Sequence, residues 1–115
     1  MRGALMIRAA LVALCLGTTL AAAPGRAEPP APDGKALFQE KCIMCHGSSG
    51  MGTVLLGRRV QPAELTKRTN LTADQVITLA RVGVGNMPAI SRGEVSDVQL
   101  KAIASYLATG PEASR

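Results

Sequence analysis

The chain has 115 residues, 47% of them hydrophobic, and a formal net charge of +5, a length that suits one domain and excludes several. Only 2% of the residues are aromatic and none is tryptophan, so the bases of a nucleic acid would have almost nothing to stack on. The composition therefore argues against a nucleic-acid partner, and the length argues for a small domain that buries a modest share of its surface.

The N-terminal segment has the pattern of a secretory signal peptide. Arg2 and Arg8 give it a basic start, and residues 9–23 are apolar apart from two threonines. This apolar stretch is shorter than the roughly 20 residues that span a bilayer. We therefore predict a cleaved signal over residues 1–27, a mature domain over 28–115 and export to the periplasm, with an uncleaved N-terminal anchor as the alternative.

Cleavage after Ala27 is favoured over cleavage after Ala23, because Pro24 would directly follow the second site. The mature chain would lose three arginines and keep ten basic and all eight acidic residues, a net charge of +2. Cys15 would be removed with the signal, since Leu14 stands where a lipoprotein signal has a small residue. No stable membrane anchor is expected after cleavage.

The first half of the mature chain carries one clear helix signal. Asp33 can cap a helix that starts at Gly34 and runs towards a cysteine pair. Residues 47–57 include four glycines, which predicts a loop. Pro62 favours the first turn of a short helix that continues to Leu65.

The second half carries two capping boxes. Residues 72–75 read Thr-Ala-Asp-Gln and open a helix that ends near Gly83, and residues 96–99 read Ser-Asp-Val-Gln and open another. The last helix stops at the Gly-Pro pair that begins at Gly110. Residues 85–92 between the helices are predicted as loop. No strand pattern of convincing length is present, so the sequence predicts an all-α fold.

The central motif is Cys-Ile-Met-Cys-His at residues 42–46, the attachment signature of c-type haem. Two thiols three residues apart near a helix end can reach the two vinyl groups on one edge of a porphyrin. The next residue then points its imidazole at the iron. His46 is the only histidine. We predict one covalent haem c per chain, attached at Cys42 and Cys45, with His46 bound to the iron.

Other uses of the cysteine pair fit less well. A disulfide between residues 42 and 45 would close a tiny loop and constrain little of the unfolded chain. A thioredoxin-like redox pair expects a βαβ unit, which the sequence pattern lacks. A structural zinc site needs four protein ligands, and only three crowded candidates are present. A thiol-redox protein without haem remains the competing interpretation of this motif.

The sixth iron ligand has three candidates in the mature chain: Met44, Met51 and Met87. Met44 lies inside the attachment motif and Met51 lies five residues past His46, so both are tethered on the histidine side. Met87 is separated from His46 by two predicted helices, which leaves enough chain to wrap round the haem edge. Histidine paired with methionine is a known cytochrome arrangement, and we predict Met87 as the ligand rather than a loop residue that fills a gap.

From residue 33 to residue 108 the chain resembles class I (monohaem) cytochrome c. Gly34 and Phe38 match the Gly-x-x-x-Phe helix that precedes the haem motif in that family. Ile103 and Tyr106 match the C-terminal helix that crosses the first one, with Gly34 at the expected crossing point. The resemblance implies three to five helices wrapped around one covalently bound haem.

The loops resemble the family as well. Residues 52–57 correspond to its Gly-Pro-x-Leu-x-Gly proximal loop, with Thr53 in place of the proline whose carbonyl accepts a hydrogen bond from the proximal histidine. Thr53 can still offer its own carbonyl to His46, with a softer loop that holds the histidine less firmly. Met87 and Pro88 match the distal Met-Pro loop, and this match implies Met87 as the axial ligand.

The resemblance implies a periplasmic one-electron carrier rather than an enzyme. It would accept electrons from a dehydrogenase and pass them to a downstream cytochrome or oxidase of the respiratory chain. A weaker resemblance, over residues 52–58 and 87–89, is to the cytochrome subunit of p-cresol methylhydroxylase and related flavocytochromes, which implies a flavoprotein dehydrogenase as donor. The alternative function is a haem-based sensor or small peroxidase-like enzyme with a labile sixth ligand.

Four basic residues flank the short middle helix predicted around residues 62–65: Arg58, Arg59, Lys67 and Arg68. They could bind a haem propionate or an acidic partner protein. A solvated face is the favoured interpretation, because surface charges are common and mostly contribute little energy.

Overall fold

The computed structural model describes residue 25 and residues 27–110, and this part of the chain is helical. It contains α1 (Gly34–Lys41), α2 (Ile43–His46), α3 (Met51–Gly57), a turn of 3₁₀-helix (Leu65–Lys67), α4 (Ala73–Val82) and α5 (Asp97–Ala108). Within the described ranges, β-type pairing is limited to an isolated antiparallel bridge between Val84 and Met87. The predicted all-α fold is therefore confirmed, with five α-helices.

The first and last helices cross and form the frame of the domain. The Asp33 side chain caps α1 by accepting hydrogen bonds from two backbone amides of its first turn. At the crossing, Gly34 lies against the carbonyl of Ala102, where any added Cβ would collide. One turn further on, the rings of Phe38 and Tyr106 pack with their centroids 5.9 Å apart and tilted by 50°. The crossing at Gly34 and the packing of Tyr106 against the first helix are confirmed as predicted.

Replacing Gly34 with alanine will destabilise the domain by about 1–3 kcal/mol, the usual cost of forcing an extra group into a packed contact. The new methyl group would meet the Ala102 carbonyl and the Tyr106 Cβ, so α1 and α5 must separate. Guanidinium unfolding of the holoprotein measures the effect. Gly93→Ala is the matched control, since its Cβ would meet only the Ser91 hydroxyl at 3.7 Å. Equal stability of the two variants would contradict the close crossing.

Both predicted N-caps in the second half of the domain are present, but only the second is a full capping box. The Thr72 hydroxyl accepts a hydrogen bond from the Gln75 amide at 3.2 Å and starts α4. At α5 the box is reciprocal: the Ser96 hydroxyl accepts from the Gln99 amide at 3.2 Å, and the Ser96 amide donates to the Gln99 side chain at 2.9 Å. Helix α4 ends at Gly83, as predicted. These local signals set the boundaries of α4 and α5.

The glycine-rich stretch 47–57 is not all loop, because its second half forms α3 (Met51–Gly57). The glycines allow this segment to pack closely against the chain around Cys45. A Cβ on Gly50 would collide with the Cys45 carbonyl, and one on Gly52 would lie 2.8 Å from the same oxygen. Since α3 packs directly on the chain around Cys45, tertiary contact overrides the low helix propensity of glycine.

The short middle helix is also displaced from its predicted position. Pro62 lies in a bend, and the helical turn spans Leu65–Lys67 instead of residues 62–65. Leu65 packs against the hydrophobic core, whereas Pro62 is exposed. The helical turn therefore begins at Leu65, the residue that contacts the core, and not at the exposed Pro62.

The predicted signal peptide lies outside the described residues except for residues 25 and 27, and Cys15 is outside them as well. Among the residues that are described, no helix has the length and apolar character needed to cross a membrane.

Candidate haem site

The cysteine–histidine motif forms a single helical turn. Cys42 ends α1, where its amide donates to the Phe38 carbonyl at 2.9 Å, and it also starts α2. The amides of Cys45 and His46 both donate to the Cys42 carbonyl, at 3.2 and 2.9 Å. Neither thiol of the pair is in a disulfide. The local fold therefore holds two free thiols and one imidazole on the same turn, as the spacing predicted.

Burial sets the protonation state of this turn. It raises the pKa of the Cys42 thiol, with a further contribution from Cys45. Burial also lowers the pKa of His46 below its ordinary value of 6.5, so the imidazole is neutral at pH 7, the form that can bind a metal. Cys45 is exposed, whereas His46 is half-buried.

A large apolar cavity of about 610 Å³ adjoins the motif. Cys42, Cys45, His46 and Met87 all border it. Six of the seven buried hydrophobic side chains in the described part of the chain also line the cavity: Phe38, Ala80, Val95, Leu100, Ile103 and Leu107. The core of the domain is therefore built around this space, which suits a bulky apolar group.

Of the three methionines, Met87 has the environment of an inward-facing ligand. It is half-buried and packs against the hydrophobic core. Its amide donates to the Val84 carbonyl at 2.9 Å and its carbonyl accepts from the Val84 amide at 3.0 Å, which fixes the local backbone. Met44 and Met51 also border the cavity but are 89% and 72% exposed. The loop predicted around Met87 is present.

The hydrogen bond expected between His46 and the Thr53 carbonyl is absent from the described part of the chain. The His46 Nδ1 atom is buried without a partner, and so is the Thr53 hydroxyl. Thr53 lies inside α3 rather than in an open loop, and an α-helix commits its carbonyls to its own ladder. The Thr53 carbonyl is therefore not the acceptor for His46 in this structure.

The donor set fits haem better than a directly bound metal. Across the described residues, no group of three or more histidine, cysteine or acidic side chains could hold a metal ion by itself. Two free thiols, a half-buried neutral imidazole and an apolar cavity match the needs of a covalently attached macrocycle.

Comparison with known proteins agrees with this geometry. A family model described as cytochrome C oxidase, cbb3-type, subunit III matches residues 29–107. The chain belongs to this family of c-type cytochrome domains. It follows that its cofactor is a covalently bound haem c and that the domain transfers electrons rather than catalysing a reaction of its own.

Two curated relatives align with this cytochrome domain over 83 residues each. One is the cbb3-type cytochrome c oxidase subunit CcoP of Azospirillum brasilense, 34% identical over 67% of this chain and 27% of the relative. The other is a thiosulfate dehydrogenase of Psychrobacter arcticus, 36% identical over 69% of this chain and 25% of the relative. The chain spans about a quarter of the length of either relative. No solved structure gives a significant match.

The structure also shows which basic residues approach the site. Arg58 and Arg59 border the cavity, while Lys67 pairs with Glu64 at 2.8 Å and Arg68 bonds to the Asn70 side chain. The sequence pattern placed these four residues in one group, but of the four only Arg58 and Arg59 border the cavity of the cytochrome domain. These two residues directly follow α3, whereas Lys67 and Arg68 lie further along the chain.

Proposed function

We propose that this domain is a periplasmic one-electron carrier whose haem c is attached at Cys42 and Cys45 and ligated by His46 and Met87. The observation that carries the proposal is that these four side chains border the same apolar cavity. When bound, the haem supplies a ferric–ferrous couple. With an imidazole and a thioether both committed to the iron, no position is open to a substrate, which favours electron transfer over ligand chemistry.

The protein's own groups tune that couple. Met87 contributes a thioether, which raises the reduction potential compared with a second histidine. The apolar cavity wall acts in the same direction, because it disfavours the additional positive charge of the oxidised state. His46 reaches the site already neutral because burial lowers its pKa, so ligation need not displace a proton at pH 7.

The electron path is proposed to run through the side of the cavity at the attachment motif. Met44 is 89% exposed there, so a partner can approach closely. Arg58 and Arg59 are exposed at the cavity border and would face a haem propionate or an acidic partner surface.

The partners are proposed as a periplasmic dehydrogenase upstream and a cytochrome or oxidase downstream. The names of the two relatives, an oxidase subunit and a dehydrogenase, agree with these two partner classes, while a flavoprotein donor rests on the weaker sequence resemblance. A mature net charge of +2, further offset by the propionates, predicts only mild salt dependence of docking.

The proposal is tested by exporting the full chain in a host that has a haem-attachment system. Intact mass should show cleavage after Ala27 and one added haem at Cys42 and Cys45. The ferric spectrum should be low-spin, with the long-wavelength band of methionine-ligated iron, and redox titration should give a reversible one-electron wave. No added haem mass would contradict the attachment. A high-spin spectrum with ready CO binding would favour the sensor or peroxidase-like alternative.

A further inference from the structure

Arg81 makes an unusual set of contacts for a residue on an exposed helix end. It lies in the last turn of α4, and its side chain is only 14% exposed. One terminal nitrogen donates to the Ile90 carbonyl at 2.9 Å. The other donates to the Val95 carbonyl at 2.9 Å and to the Asp97 carboxylate at 2.8 Å. One guanidinium thus joins the end of α4, the following connection and the start of α5.

The connection that Arg81 holds is the one that carries Met87. It runs from Gly83 to Ser96 and contains no helix. Its midpoint is tied to α4 a second time by the Ile90 amide, which donates to the Ala80 carbonyl at 2.8 Å. Arg81 therefore contacts the part of the loop that follows Met87. Its hydrogen bonds go to the backbone carbonyls of Ile90 and Val95, three and eight residues beyond Met87.

We propose that Arg81 is the positioning residue of the Met87 loop: its guanidinium holds the loop backbone so that the Met87 sulfur stays at the iron. The inference rests on the proposed ligation by Met87. Arg81 acts through Ile90 and Val95 and does not border the cavity. Without it, the two part-buried carbonyls of Ile90 and Val95 lose the donor that Arg81 supplies. Lysine cannot replace it fully, because an ammonium lacks the planar fork that reaches three acceptors.

Competition by imidazole for the sixth iron position measures how firmly Met87 is held. In the holoprotein, Arg81→Gln should bind imidazole at least about tenfold more tightly than the parent, as expected for losing hydrogen bonds from a charged group. Arg81→Lys should fall between the two. The methionine–iron band should weaken in the same order.

Arg92→Gln is the matched control. Arg92 donates to the same Asp97 carboxylate at 2.9 Å but is 72% exposed, and it has no bond to the Ile90 or Val95 carbonyl among the described contacts. Its imidazole affinity should stay within twofold of the parent. If the Arg92 variant changes as much as the Arg81 variant, the effect belongs to the carboxylate pair and the proposal is wrong.

Amide hydrogen exchange separates this inference from the proposed function. In Arg81→Gln the Ile90 and Met87 amides should exchange faster, together with the gain in imidazole affinity. Unchanged imidazole affinity, with or without faster exchange, overturns the positioning role. If Met87→Ala leaves imidazole affinity unchanged, ligation by Met87 fails and the inference fails with it. Should Arg81→Gln yield no holoprotein, Arg81→Lys carries the same comparison.

Discussion

Replacing Cys42 and Cys45 together with serine will leave the exported domain without haem and without a cooperative folded state. Six of the seven buried hydrophobic side chains in the described part of the chain line the cavity, so they depend on the group that fills it. Removing one buried side chain from a core costs about 2–5 kcal/mol, and ordinary domains are stable by only about 5–15 kcal/mol. Circular dichroism and intact mass measure the two losses.

The single variant Cys45→Ser is the control for this experiment. It keeps the half-buried Cys42 as one covalent anchor, so it should still retain haem and helical structure, with reduced stability. A haem-free double variant that remains helical and melts cooperatively would show that the polypeptide core is sufficient. It would then favour the thiol-redox interpretation of the cysteine pair.

Replacing Met87 with alanine will lower the reduction potential by on the order of 0.1 V, a fraction of the roughly 0.8 V over which axial ligands set haem potentials. The thioether that favours the reduced iron is lost, and the sixth position becomes open to water, CO or imidazole. Redox titration and the ferric spectrum measure the change.

Met44→Ala and Met51→Ala are the matched controls, because each removes one thioether at the cavity border from a side chain that is mostly exposed. Both variants should keep the parent's potential and low-spin spectrum. If either variant loses the methionine–iron band while Met87→Ala keeps it, the iron ligand is Met44 or Met51 and not Met87.

The helix boundaries that the sequence predicted well are those set by local chemistry. Ser96 and Gln99 satisfy each other's backbone amides whatever surrounds them, so the start of α5 can be read from four residues. Helix α3 could not be predicted in this way. Gly50 and Gly52 have low helix propensity. Glycine is needed at both positions because the backbone lies close to the Cys45 carbonyl, and this contact exists only in the folded chain.

The residues of the candidate site differ in the same way: some can be recognised from their sequence neighbours, and others only from contacts in the folded chain. Cys42, Cys45 and His46 lie within five residues, so their chemistry is visible in the sequence. Met87 could be chosen only by weighing chain length and a family resemblance. Arg81 gave no signal at all, because two of its three acceptors are backbone carbonyls, and any residue type can supply a carbonyl.

The cavity wall combines side chains from opposite ends of the domain, Phe38 from α1 and Leu107 from α5. The crossing of α5 over α1 at Gly34 brings these two side chains into one wall. A group seated in the cavity would therefore touch both terminal helices at once, and fraying of either helix would loosen its surroundings.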